Sequence, residues 1–343
     1  MALWTDLVTP AELTGFARAA QEDIERTKGT LGRWLPNTAT TDVVVRTLVG
    51  SNGSGSLAQY RSFDAETPIG KAPSGERKTF ELLPLGLKER VSEYDQLRMR
   101  GNEAMAQMLG GAERAAARIA GAVVDRLEVA RGQAIEAGAL TINENGVVQS
   151  PSFGRAADHT VTAATKWDQA GAKILDDLLT WRDKYADDNN GEMPGSIVAS
   201  GKVLATLARS DEIRGLVATA VGGTPSIVSV DAINAALIAY GLPPITVYDR
   251  RVNGTRVTGD KKLFLLPAAV DPNSGQNSLG ATFYGETLEA SEPEYGIAPV
   301  DQPGLVVGAW KTKDPIALWV HGNAIAVPVL VNPAASMVAT VLT

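Results

Sequence analysis

AERAAARIAGAVVDRLEVARGQAIEAGALTI, residues 112–142, decides the fold class of this chain. Ile119, Val123, Leu127, Ala130 and Ala134 recur at helical spacing, and Met105, Met108, Ala112 and Ala115 extend the pattern upstream. The spacing predicts a helix to Ala137, well beyond the usual ~11–12 residues. From Ala112 to Ala137 it would span roughly 39 Å. Its alanines leave room for a sheet or another helix to approach closely. Gly138 ends it, and Leu140-Thr141-Ile142 starts a strand. Ser92-Glu93-Tyr94-Asp95 is a capping-box start ahead of it. Gly110-Gly111 is expected to kink or break it, because an interior glycine costs ~1 kcal/mol.

Upstream, Thr9-Pro10-Ala11-Glu12 is a second helix start, with Thr as N-cap, Pro at the first turn and Glu closing a capping box. Leu13, Phe16, Ala17, Ala20 and Ile24 form one apolar face, and Gly29 marks the end. That face could belong to the chain's own domain or dock on a neighbour. Residues 43–49 read as a strand, followed by Gly50-Ser51-Asn52-Gly53-Ser54-Gly55-Ser56. A phosphate-binding loop would need Lys after its final Gly, and Ser56-Leu57 stands there, so a linker is expected. Leu57–Phe63 and Thr79–Leu83 are predicted as strands joined by Asp64–Arg77. That loop exceeds the ~2–5 residues of a compact hairpin and has little apolar surface to bury, so it reads as a projecting arm.

Downstream, Asn145-Gly146 and Asn253-Gly254 are hairpin turns. A helix is predicted over Lys166–Tyr185. Ser200 caps another to about Val221, and Ser229 one over Ala232–Tyr240. Strands are expected at Ile197–Ala199, Ile245–Tyr248, Leu263–Leu266, Ala281–Tyr284 and Leu305–Trp310. The chain then closes on strands Ile316–His321, Ile325–Val331 and Met337–Leu342. A chain of 343 residues, 44% hydrophobic, exceeds the ~250–300 where one core usually divides. The middle block is expected to be a mixed α/β domain of its own, and the last strands to return to the domain of the long helix.

Composition excludes several functions. The net charge of −7 gives no clustered cations to coat nucleic acid. The absence of cysteine removes disulfides and thiolate chemistry. No apolar run approaches the ~18–20 residues of a membrane span, and the N-terminus lacks the pattern of a signal peptide. Asp187-Asp188-Asn189-Asn190-Gly191 fails the calcium-loop alternation, because Gly falls at its fifth position. His159 and His321 lack a partner at helical metal-binding spacing, and both are expected in loops or at strand ends. No catalytic residue, cofactor or metal is nominated. An α/β enzyme using the middle block is the alternative outside the structural class.

Several stretches together resemble the lambda-like (gpE-type) family of phage major capsid proteins. They are Leu31–Pro36, Tyr60–Pro68, Leu83–Glu89, Arg126-Leu127-Glu128 with Gly138, and the ending from Asp314-Pro315 to Asn332-Pro333. The resemblance implies an α+β, HK97-like capsid fold. Residues 1–45 would form an N-terminal arm, 46–90 an extended E-loop, and 91–194 a peripheral (P) domain with a spine helix. Residues 195–312 would form an axial (A) domain, and 313–343 would return to the P-domain. It also implies pentamers and hexamers of an icosahedral shell around double-stranded DNA, assembled in the bacterial host cytoplasm. Scaffold, portal and decoration proteins would be partners, with no sequence-specific DNA contact. Leu13, Phe16, Ile24, Arg61, Asp64, Glu66, Lys71, Arg77 and Lys78 are the candidate inter-subunit residues. Some such shells join an E-loop Lys to a neighbour's Asn, which would point to Lys71 or Lys78 and Asn323 or Asn332. The lambda-like branch is not expected to crosslink. A bacterial cargo shell of the same fold is the nearest alternative.

Overall fold

The computed structural model describes residues 3, 5, 8–49, 60–67, 69, 76–98, 104–221, 227–275 and 277–343. α1 (Pro10–Thr27) opens on the predicted capping box. Thr9 Oγ1 accepts from the Glu12 N–H at 3.2 Å, and Glu12 Oε2 accepts from the Thr9 N–H at 2.9 Å. Such a cap is worth about 1 kcal/mol. There follow β1 (Asn37–Ala39), β2 (Val44–Val49), β3 (Glu76–Glu81), β4 (Pro84–Val91), α2 (Glu93–Arg98) and α3 (Ala104–Ala137). α3 is a single helix of 34 residues that runs straight through Gly110-Gly111. Gly111 is buried in its packed face, so tertiary contact outweighs the weak propensity.

The hairpin differs from expectation. β2 and β3 pair antiparallel from Val44 opposite Glu81 to Val49 opposite Glu76. Residues 60–63 are irregular, and Ser62 accepts from the Ala65 N–H at 3.2 Å across a turn in which Asp64 has φ 64°. The linker at 50–56 and the start of the expected strand, 57–59, lie outside the described residues.

β5 (Ile142–Glu144) and β6 (Val147–Gln149) turn at Asn145-Gly146, as expected, with φ of 48° and 85°. β7 (Thr160–Thr162) precedes α4 (Ile174–Asp188), which starts later than predicted. Gly171, at φ 80°, holds a turn there, and the Glu212 carboxylate accepts from the Ile174 and Leu175 N–H groups at 2.6 and 3.1 Å. The next elements are β8 (Ser196–Ala199), α5 (Gly201–Arg209), α6 (Asp211–Val221), α7 (Val230–Ala239), β9 (Ile245–Val247), β10 (Arg251–Val252), β11 (Thr255–Arg256) and β12 (Lys262–Leu266). Extended backbone at Ser210 divides α5 from α6 where one helix was expected. The chain closes with β13 (Gly280–Gly285), α8 (Leu288–Ser291), β14 (Val306–Lys313), β15 (Ile316–Leu330) and β16 (Met337–Thr340).

Two five-stranded sheets organise the molecule. The first runs β1-β13-β15-β14, with β4 also paired to β15; the second runs β7-β16-β12-β8-β9. The expected division at residue 312 therefore does not follow the strands. β13 and β14 already lie in the first sheet, whereas β7 and β16 complete the second. The reason is pairing at long sequence separation, as in Gly280 opposite Leu330 and Leu265 opposite Met337. β15 is one strand of 15 residues, not two, because its Gly322–Ala324 segment stays in register with Leu87–Leu85 of β4.

α3 packs against the first sheet and α1. Leu13, Ala17, Ala112, Ala116, Ile119, Val123, Val320 and Ala324 share one core, and the alanines provide the close approach expected of them.

Candidate assembly interface

The base of the β2–β3 hairpin is anchored in the subunit, and residues 60–67 and 69 are not. Val45, Phe80 and Leu82 are buried, and Phe80 meets Phe153 with ring centroids 5.3 Å apart. Tyr60, Phe63 and Ile69 are 108%, 99% and 98% exposed. Three large apolar side chains standing fully in water on one segment make it a candidate for contact with another surface. Arg61, Asp64 and Glu66 are exposed among them, and Arg61 Nη1 donates to the Ala65 carbonyl at 2.7 Å. Arg77 is exposed on β3. Lys78 is turned toward its own subunit, with Nζ 3.6 Å from Glu76 Oε2 and donating to the Ser152 carbonyl at 3.5 Å. Lys71 lies outside the described residues. The sequence had not singled out Tyr60 and Phe63, because they fall in a run predicted as a strand, nor Ile69, a lone apolar residue in the projecting loop.

α1 is divided by its two faces. Leu13, one of the candidate inter-subunit residues, is 1% exposed and sits in the core beneath α3 and β15. Ile24 is half-buried and faces Gly121 of α3. Phe16 is 43% exposed. Phe16→Asp should therefore lower particle yield more than the melting temperature of the isolated subunit. Leu13→Ala should instead destabilise the subunit by about 2–5 kcal/mol, so thermal denaturation beside particle yield separates the two faces.

Behind α1 lies a polar network the sequence reading missed. Arg131, fully buried on α3, donates from Nη1 to both Glu25 oxygens at 2.8 and 2.9 Å, from Nε to Thr282 Oγ1 at 2.9 Å and from Nη2 to Asn37 Oδ1 at 2.6 Å. Glu128, one turn earlier, accepts from the Leu31 N–H at 2.9 Å and from the Tyr248 hydroxyl. Burial pushes the Glu128 carboxyl above its ordinary value, against Arg131 and Tyr248. Burial alone would lower Arg131, but Glu25 and Glu128 hold its guanidinium above the ordinary value. The network fixes α1, the spine-like α3, the first sheet and the Tyr248 loop in one arrangement, which is the platform from which the hairpin projects.

Among the described residues, Asp158, His159 and Asp188 are grouped closely enough to share a cation. Lys184 already occupies that position, with Nζ 2.7 Å from Asp158 and 2.8 Å from Asp188. His159, fully buried where a 3-10 turn enters β7, sets Nε2 2.7 Å from Asp188 and Nδ1 3.2 Å from the Ser336 carbonyl. His321 lies inside β15 rather than at a strand end, and burial pushes it below its ordinary value. The Lys184 hydrogen bonds hold both carboxyls below the usual range. Their contribution is therefore present above the ordinary carboxylate pKa and lost as pH falls through the lowered values. Lys184→Met should melt lower than the parent chain above about pH 5, with the gap closing toward about pH 2; a gap constant with pH would refute this.

The candidate crosslink asparagines are both engaged. Asn323 Nδ2 donates to the two Glu289 oxygens at 2.9 and 3.1 Å, and Asn332 Nδ2 to Asn189 Oδ1 at 3.1 Å.

The sequence profile of phage major capsid protein E matches residues 18–341. The chain belongs to that family. Two solved structures share its fold. One, described as the capsid protein of a prophage in E. coli CFT073, has a TM-score of 0.63 and 14% identity, covering 97% of this chain and 99% of that one. The other, a phage-related protein from Bordetella bronchiseptica RB50, has a TM-score of 0.61 and 14% identity, covering 95% and 94%. No curated protein matches the chain. This is a phage major capsid protein with the α+β, HK97-like capsid fold, as the resemblance implied. Its function is to form the virion shell from many copies of itself.

Proposed function

We propose that the capsid protein forms pentamers and hexamers of a closed icosahedral shell around packaged double-stranded DNA, and that the β2–β3 excursion carries contacts between copies. The observation that supports this reading is the complete exposure of Tyr60, Phe63 and Ile69 on a segment whose base is anchored in the core. Arg61, Asp64, Glu66, Lys71, Arg77 and Phe16 would join these contacts, while Leu13, Ile24 and Lys78 serve mainly their own subunit. The first sheet with α3 would be the P-domain and the second sheet the A-domain. Scaffold, portal and decoration proteins would act during assembly in the host cytoplasm. DNA would be enclosed without sequence-specific contact, consistent with a net charge of −7. The role is structural and not catalytic.

Negative-stain imaging of the expressed protein should show closed shells, and uniform monomers would contradict the proposal. Cohesion is non-covalent in this reading, so boiled particles should run as one band at the 36.0 kDa monomer mass. A ladder of multimers would instead indicate a Lys–Asn bond, for which Asn323 beside Glu289 would be the first residue to replace.

A further inference from the structure

A cleft of about 250 Å³ lies between α1, the edge strand β1 and the loops that carry Asn273 and Gly304. Two of the residues lining it hold N–H donors for which the described residues supply no acceptor. Arg18 Nε donates to the Leu305 carbonyl at 2.8 Å and Nη1 to the Asp301 carbonyl at 2.6 Å, while Nη2 is buried and unpaired. Asn273 Oδ1 accepts from Asn37 Nδ2 at 3.5 Å, and its own Nδ2 is likewise buried and unpaired. Gly304, at φ 124°, borders the guanidinium so closely that a Cβ there would stand 3.2 Å from Nη2.

The charge on Arg18 is as poorly met as its third nitrogen. Both of its hydrogen-bond partners are neutral backbone carbonyls. Burial pushes Arg18 below its ordinary value, and the Asp301 carboxylate offsets this only in part. Glu22, one turn further along α1 and the one acid lining the cleft, stands exposed and forms no ion pair with Arg18 among the described residues. Buried donors are rarely left unpaired, so two at one cleft point to a bound acceptor. A water would satisfy the hydrogen bonds but leave the guanidinium charge unmet. We infer that this cleft binds a small oxyanion, of carboxylate or phosphate chemistry, between Arg18 and Asn273, and that the bound ion fastens α1 to the edge of the first sheet. The site is independent of the shell-forming reading.

The probes are inorganic phosphate and acetate, each compared with chloride at equal ionic strength, and the readout is the melting temperature of the full-length subunit. A ion that binds only the folded chain raises that temperature as its concentration passes Kd. Phosphate should do so; a matching response to acetate would extend the site to carboxylates, and its absence would restrict it to phosphate. Arg18→Met should weaken phosphate binding by about tenfold or more, the loss expected for a hydrogen bond to a charged group. Asn273→Asp, which places a carboxylate in the same cleft, should melt higher than the parent chain in chloride and lose the phosphate response. This variant keeps the test decisive if Arg18→Met does not fold. No response of the parent chain to either ion would overturn the inference. So would an equal rise in the parent and in Asn273→Asp, which is the general effect of a salt excluded from protein surface.

Discussion

Replacing Arg131 with alanine should lower the stability of the isolated subunit by about 3–5 kcal/mol, enough to remove much of a typical domain's margin. The guanidinium has no solvent exposure and holds Glu25 directly, with Glu128 Oε2 at 3.5 Å. Its removal leaves Glu25 buried without a cation and Glu128 with only Arg250, 3.9 Å away. The size of the loss reflects those poorly compensated buried charges and not the net worth of the ion pair. Two further results separate this mechanism from simple loss of packing. The deficit should shrink on acidification, because buried carboxylates without a cation bind protons more tightly folded than unfolded. Arg118→Ala, which breaks the exposed pair with Glu89, should cost no more than about 1 kcal/mol. Urea denaturation of the three chains at pH 7 and pH 5 measures all of these; an Arg131→Ala loss no larger than that of Arg118→Ala would refute the network's role.

The second large effect concerns assembly and spares the fold. Changing Tyr60, Phe63 and Ile69 together to Ser should leave the melting temperature of the subunit unchanged within about 0.5 kcal/mol of stability, since none touches its own core. Closed shells should nevertheless disappear. Burying a large apolar side chain gains about 1.5–3 kcal/mol, so three lost anchors remove several kcal/mol at every contact between copies. Sedimentation of the variant should show folded, unassembled subunits. Shells in normal yield would show that these side chains face solvent in the particle too.

Local chemistry explains what the sequence disclosed. The Thr9–Glu12 box, the Ser92–Asp95 box, the serine caps at Ser200 and Ser229 and the two Asn-Gly turns each depend on residues a few positions apart, and each stands where the pattern put it. The long helix was legible because its apolar repeat persists over many turns. Strand partners were not. Glu76–Glu81 carries few apolar residues, and its pairing with β2 is set by chain closure rather than by its own pattern. Likewise, nothing local places β16 in the second sheet. Leu13 and Phe16 share an apolar helix face by spacing, yet only the position of α3 decides which is covered. Glu25, Glu128 and Arg131 look like ordinary solvated helix charges, and their burial is visible only when α1, α3 and the first sheet are assembled around them.

The most direct test of the central claim is a cryo-EM map of the assembled particle at side-chain resolution. Tyr60, Phe63 and Ile69 should be buried against a neighbouring copy while the Arg131–Glu25 contact stays inside each subunit. A closed shell in which all three side chains still stand in solvent would contradict the account.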